Sequence, residues 1–259
     1  MGASDPTVMT TRAVDETGEG SSRILQTRDL RKEFGGLTAT DDVDFSLEEG
    51  ELRCLIGPNG AGKSTFLNLL TGRLEPTAGK IYYDGHDITD LPSYERVDRG
   101  ISMKFQVPSI YEGLTVAGNL RIPLQQVVDG DEFEARTREI LERFDLLAEH
   151  GTVASNLSHG QQQRLEIGMA MALEPNLMLL DEPVAGLSVE ETAEIADLLR
   201  EISDDDGVAL IVIEHDIDFV ESIADRVTVL DQGSIFREGT VEEVENDPEV
   251  KRIYLGEDH

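Results

Sequence analysis

The chain has 259 residues, 53 of them acidic and 22 basic, giving a formal net charge of −31. That length suits one large domain or two small ones with a sizeable core. A surface this negative repels phosphate backbones and anionic lipid headgroups, which all but excludes nucleic-acid binding by a basic face and unaided coating of a membrane. Only 5 of the basic residues are lysine and aromatics are 5%. The pattern fits a cytosol at high salt, where screening relieves self-repulsion.

Residues 1–22 are small and polar without a hydrophobic period, and are expected to form a disordered tail. The opening MGASDPTVMT lacks a basic stretch followed by an apolar one, and Pro6 stands at the Ser/Thr position of a myristoylation pattern. No secretion leader or lipid anchor is therefore expected. Nor does any run approach the ~20 apolar residues of a membrane span. From residue 23 strand-like runs begin. DDVDFSL alternates Val43, Phe45 and Leu47, as a half-buried strand does. ELRCLI is nearly continuously apolar and stops at a Gly-Pro-Asn-Gly loop, as a buried parallel strand would. Cys54, the sole cysteine, lies inside that run and reads as a buried structural thiol in a reducing compartment. KIYYDG and ISMKFQ are further strand candidates.

The period then changes. Across 131–149, Phe133, Ile140, Leu141, Phe144 and Leu147 recur at three and four, which predicts one amphipathic helix. A second helix is predicted from Val189, with Ala193, Ala196, Leu199 and Ile202 on one face and a Ser188/Glu191 capping box at its start. The runs NLMLLD and GVALIVIEHD end in acidic residues, as buried parallel strands do at a functional rim. Strands alternating with helices predict an α/β core with a largely parallel sheet, interrupted by a helical insert over about 107–160.

Three clusters carry chemistry. Gly57-Pro58-Asn59-Gly60-Ala61-Gly62-Lys63-Ser64-Thr65 has the spacing of a phosphate-binding loop between a strand and a helix. Its glycines let successive amides converge on an anion, and the helix adds its positive end. Lys63 is expected to meet the β- and γ-phosphates of a nucleotide, and the Ser64 hydroxyl to bind Mg²⁺. Asp181 and Glu182 end an apolar strand, where one carboxylate suits a water-mediated Mg²⁺ shell and the next suits a general base. Between these clusters lies Leu157-Ser158-His159-Gly160-Gln161.

LSHGQ resembles the LSGGQ signature of the ATP-binding-cassette (ABC) ATPases, and the other family stations follow in order over roughly residues 23–258. The resemblance implies a P-loop NTPase core with a helical subdomain and an antiparallel β subdomain. It also implies Phe34 stacking on adenine, Gln106 as the Q-loop glutamine and a Mg²⁺ ligand, and His215 as the switch histidine after the next strand. Taken singly, each has a plainer reading: Phe34 as core filler, Gln106 as a strand-end polar residue, His215 as a core histidine, Ser158 as a helix cap. Two departures stand out. His159 replaces the first signature glycine, and Ser188 replaces an aspartate that many members carry.

GPNGAGKST, GLTVAGNL, DEPVAGL and the ending NDPEVKRIYLGED resemble the ATPases of urea and branched-chain amino acid uptake, and other segments lean to the urea member. The implied activity is ATP hydrolysis coupled to import, on the cytoplasmic side of the membrane. Implied partners are two transmembrane permeases, a second ATPase subunit in a homo- or heterodimer and, indirectly, a solute-binding protein. Ser158, His159, Gly160 and Gln161 would complete the partner's ATP site. The rival class, ABC ATPases of DNA repair, ribosome function or iron–sulfur assembly, usually carries paired cassettes, coiled-coil insertions or basic arms absent here, or lacks the IYLGED ending.

Overall fold

The computed structural model describes residues 23–104 and 110–255; the expected tail and Gln106 lie outside the described residues. In chain order the strands and helices are β1 (Arg23–Phe34), β2 (Leu37–Glu48), β3 (Leu52–Ile56), α1 (Lys63–Leu70), β4 (Ala78–Tyr83), β5 (His86–Asp87), α2 (Ser93–Val97) and β6 (Ile101–Lys104). Then come α3 (Val116–Leu124), α4 (Phe133–Arg143), α5 (His159–Met171), β7 (Leu177–Asp181), α6 (Val189–Asp204), β8 (Ala209–Ile213) and α7 (Ile217–Ile223). β9 (Arg226–Asp231), β10 (Ser234–Gly239), α8 (Val241–Glu245) and α9 (Pro248–Leu255) end the described chain.

Two sheets result. An antiparallel sheet runs β2-β1-β4-β5, and a second runs β10-β9-β3-β8-β7-β6, parallel except for the β10 edge. β3, β7 and β8 are buried at every residue, which is why their sequences are unbroken apolar runs. Side chains alternate across a strand, so each run feeds two cores. Leu55, Leu177, Leu179, Ile211 and Ile213 pack with α1 and the antiparallel sheet. Cys54, Met178, Leu180, Leu210 and Val212 pack on the other face with helices α3 to α7. In β2 the alternation of Val43, Phe45 and Leu47 inward is as expected.

Two sequence expectations need correction. The helix expected over 131–149 ends at Arg143, and only a short 3₁₀ turn, Leu147–Glu149, follows. Asp145 takes φ +51°, Leu146 donates to Leu141 O at 2.8 Å and Asp145 to Glu142 O at 3.2 Å. This is a left-handed helix stop with buried Leu146 behind it, and period counting reads straight through it. In α6, Ala193 is exposed, and the buried stripe is Ile195, Ala196, Leu198, Leu199 and Ile202. The Ser188/Glu191 capping box is present.

Candidate active site

β3 runs into the phosphate loop, and two of its glycines answer steric demands. At Gly57, φ +146°, a Cβ would lie 2.1 Å from Leu230 O; at Gly62, φ +101°, it would lie 2.4 Å from Ala39 O. No other residue permits both that backbone and that approach. Gly62 also caps α1 without a side-chain acceptor, so the first-turn amides of Lys63, Ser64 and Thr65 are left to a ligand. Ser64 is exposed and Thr65 half-buried.

Lys63 is only 7% exposed, and its ammonium donates to Gly57 O at 2.6 Å and to Pro58 O at 3.2 Å. Burial lowers its pKa, while the nearby carboxylates of Glu182 and Asp181 act to raise it. The structure thus brings the lysine of the loop and the acidic pair at the end of β7 to one place. Phe34 is 44% exposed at the turn of the β1–β2 hairpin, with Lys32 Nζ 5.1 Å from its ring centroid. Its partner strand β2 supplies the Ala39 oxygen against Gly62. Phe34 is therefore a surface aromatic and not core filler, on the hairpin whose second strand meets Gly62.

Asp181 is buried at the end of β7; Glu182 follows in the left-handed region at φ +49°. The Glu182 N–H donates to Ile213 O at 3.0 Å, tying it to the last residue of β8. Two residues on, His215 places Nε2 3.1 Å from Glu182 Oε1. A carboxylate only accepts, so Nε2–H is the donor. His215 is exposed and engaged with Glu182, which removes the core-histidine reading.

Ser158 caps α5, accepting from Gln161 N at 3.2 Å while Gln161 Oε1 accepts from Ser158 N at 3.0 Å. Sequence reasoning missed two bonds here. His159 Nε2 donates to Ala185 O at 3.0 Å, and Glu191 Oε1 lies so close to Gly160 that a Cβ there would be 2.6 Å from it. The Glu191 carboxyl is held below its usual range, first by the Ser188 N–H and hydroxyl, with the Gly160 N–H and His159 contributing. Ser188 acts as a cap for α6. The start of α5 is thus joined to the loop after Glu182 through Ala185 and to the first turn of α6 through Glu191, residues 26 and 31 positions apart.

The family described as ABC transporter matches residues 40–185, more than half of the chain. The chain belongs to the ABC transporter family. It is accordingly an ATP-binding ATPase of a transport system, one of the subunits that drive transport. A second family, described as branched-chain amino acid ATP-binding cassette transporter, matches residues 238–259. The high-affinity branched-chain amino acid transport ATP-binding protein LivG of Salmonella typhimurium is 37% identical, covering 92% of this chain and 99% of its own. BraF of Pseudomonas aeruginosa, of the same description, is 35% identical over the same shares. A crystal structure of a nucleotide-free ATP-binding cassette from an ABC transporter superposes with TM-score 0.83 at 33% identity, covering 91% of this chain and all of that one. The ABC ATPase fold read from the sequence is therefore the observed one, with its parallel core and antiparallel β subdomain.

Proposed function

We propose that this cassette hydrolyses Mg-ATP to drive import of branched-chain amino acids. The observation that carries the catalytic half is the Glu182–His215 contact of 3.1 Å beside the buried Lys63. The solute half rests on the chain-long likeness to LivG and BraF and on the C-terminal match. These relatives favour branched-chain amino acids over the urea reading that the sequence segments suggested.

Lys63 and the first-turn amides of α1 would hold the β- and γ-phosphates, and Phe34 would stack on the base. Among the described residues no three His, Cys, Asp or Glu side chains group to hold a metal unaided. One hydroxyl, Ser64, and one carboxylate, Asp181 through water, suit a Mg²⁺ that arrives with phosphate oxygens, with Gln106 as a further ligand. When bound, that ion neutralises charge on the transferring phosphoryl group. Glu182 takes the proton of the attacking water, and His215 holds its carboxylate in place. Ser158, Gly160 and Gln161 of a second cassette, with His159 beside them, would close the site. No described helix is long and apolar enough to cross a membrane. The cassette would sit on the cytoplasmic face, against two permease subunits, with a solute-binding protein as an indirect partner.

Glu182→Gln keeps shape and an acceptor but cannot take a proton. General-base catalysis contributes about 10²–10⁴-fold, so turnover should fall by that order while Mg-ATP binding persists. Light scattering after size exclusion should show a dimer under Mg-ATP. Near-native phosphate release in the variant would remove Glu182 from its role. In the reconstituted transporter, a binding protein loaded with leucine should stimulate turnover; stimulation by urea alone would reverse the solute assignment.

A further inference from the structure

Glu214 is a buried carboxylate, 4% exposed, just past the end of β8. Its Oε1 accepts the Val184 N–H at 3.2 Å, and its Oε2 accepts the His215 N–H at 3.1 Å. Its own N–H donates to Leu55 O at 3.4 Å, in the strand that runs into the phosphate loop. One side chain therefore joins the loop of Glu182 to the loop of His215, and its backbone ties both to β3.

The chemistry of the group fits the task. An ionised carboxylate offers acceptors on both oxygens and donates nothing, so it satisfies two converging N–H groups at once. Glutamine in the same place accepts with one end and presents an NH₂ to the other. Meanwhile Glu182, two residues before Val184, holds a left-handed backbone that only surrounding bonds maintain. Its near side is fixed by the bond to Ile213 O. Its far side, beyond Pro183, is fixed by Glu214.

We propose that Glu214 is a positioning residue for ATP hydrolysis, clamping the Glu182 and His215 loops in the relative setting that lets their side chains meet. The proposal rests on the ATPase reading of the site. Burial pushes the Glu214 carboxyl above its ordinary value, with Glu182 and Asp216 adding to the effect and the two N–H groups opposing it. Its charge therefore costs stability, which an uncharged side chain serving only to fill space would avoid.

The test uses the full chain at a KCl concentration where it is folded. Glu214→Gln should lower kcat at least ~10-fold with KM for Mg-ATP within about 2-fold of native, the split expected when an interaction acts on the chemical step alone. In the Glu182→Gln background the same change should alter residual turnover by less than about 2-fold, because both act through one group. Equal losses in both backgrounds, or native kcat in the single variant, overturn the proposal. If the variant does not fold, hydrogen exchange in the native chain decides. Protected Val184 and His215 amides support the clamp, and exchange at open-loop rates overturns it. A native chain that does not turn over Mg-ATP overturns the functional reading and this proposal together. A turning-over native chain with an indifferent Glu214→Gln variant overturns only the latter.

Discussion

Replacing Arg96 with Met should cost the fold several kcal/mol, although it lies at the end of α1 away from Lys63. Arg96, on α2, is 1% exposed. Its Nη1 donates to Leu69 O and Leu70 O, both at 2.8 Å, its Nε to Leu91 O and its Nη2 to Thr89 O, both at 2.9 Å. Leu69 and Leu70 end α1, so the guanidinium satisfies the Leu70 carbonyl and joins the Gly72 N–H, at 3.2 Å, on that of Leu69, at the negative end of the helix. Burial lowers the Arg96 pKa to about 10, which leaves it charged at neutral pH. Methionine fills similar volume and donates nothing. Each buried carbonyl left unpaired costs about 1–3 kcal/mol, less where two share one donor or water enters. With Leu69 O keeping the Gly72 N–H, loss of the other three bonds should total about 3–5 kcal/mol. At roughly 2–4 °C per kcal/mol for a chain this long, Tm should fall by about 6–20 °C. Calorimetry at fixed KCl reads it directly. Arg96→Lys, with donors at one point only, should fall between. A Met variant melting within about 2 °C of native would refute the capping argument.

Two further outcomes follow from the site and from the charge. Lys63→Ala removes the buried cation whose head group lies on Gly57 O, and should abolish hydrolysis and sharply weaken nucleotide binding; unchanged affinity in a direct titration would contradict its role. With a net charge of −31, Tm should rise with KCl into the molar range, beyond the point where the Debye length is ~3 Å and screening is nearly complete. A flat or falling Tm would overturn the high-salt inference.

Local signals account for what the sequence disclosed. The glycine-rich loop is nine consecutive residues whose backbone freedom and charge act together, so its strand–loop–helix setting is legible from spacing alone. Buried parallel strands announce themselves because both faces need apolar residues. What escaped notice depends on pairs far apart in the chain. Arg96 meets Leu69 across 27 positions, and Glu214 meets Val184 across 30. Each reads in sequence as an ordinary charge, Glu214 distinguished only by ending an apolar run. The early end of α4 escaped because Asp145 continues the polar face in period while its backbone turns left-handed.

The same long-range bonds explain how Glu182 keeps an unfavourable backbone. A non-glycine residue at φ +49° stores about 1–3 kcal/mol of strain. Against this stand the Glu182 N–H to Ile213 O, the Val184 N–H to Glu214, the Ala185 N–H to Glu182 O at 3.3 Å and the Leu187 N–H to Val184 O at 3.1 Å. At a net 0.5–1.5 kcal/mol each, about 2–6 kcal/mol in all, they offset the strain. The loop is also held from outside. His159 donates to Ala185 O, and the Glu191 carboxylate sits between the N-terminal ends of α5 and α6, where both helix dipoles favour a negative charge. A left-handed residue at a strand end turns the next side chain off the sheet, and here that turn directs the Glu182 carboxylate to His215 and toward Lys63. The backbone of Glu182 is thus set by its neighbours' bonds, and the loop that aims its carboxylate at His215 is the one that the start of α5 grips.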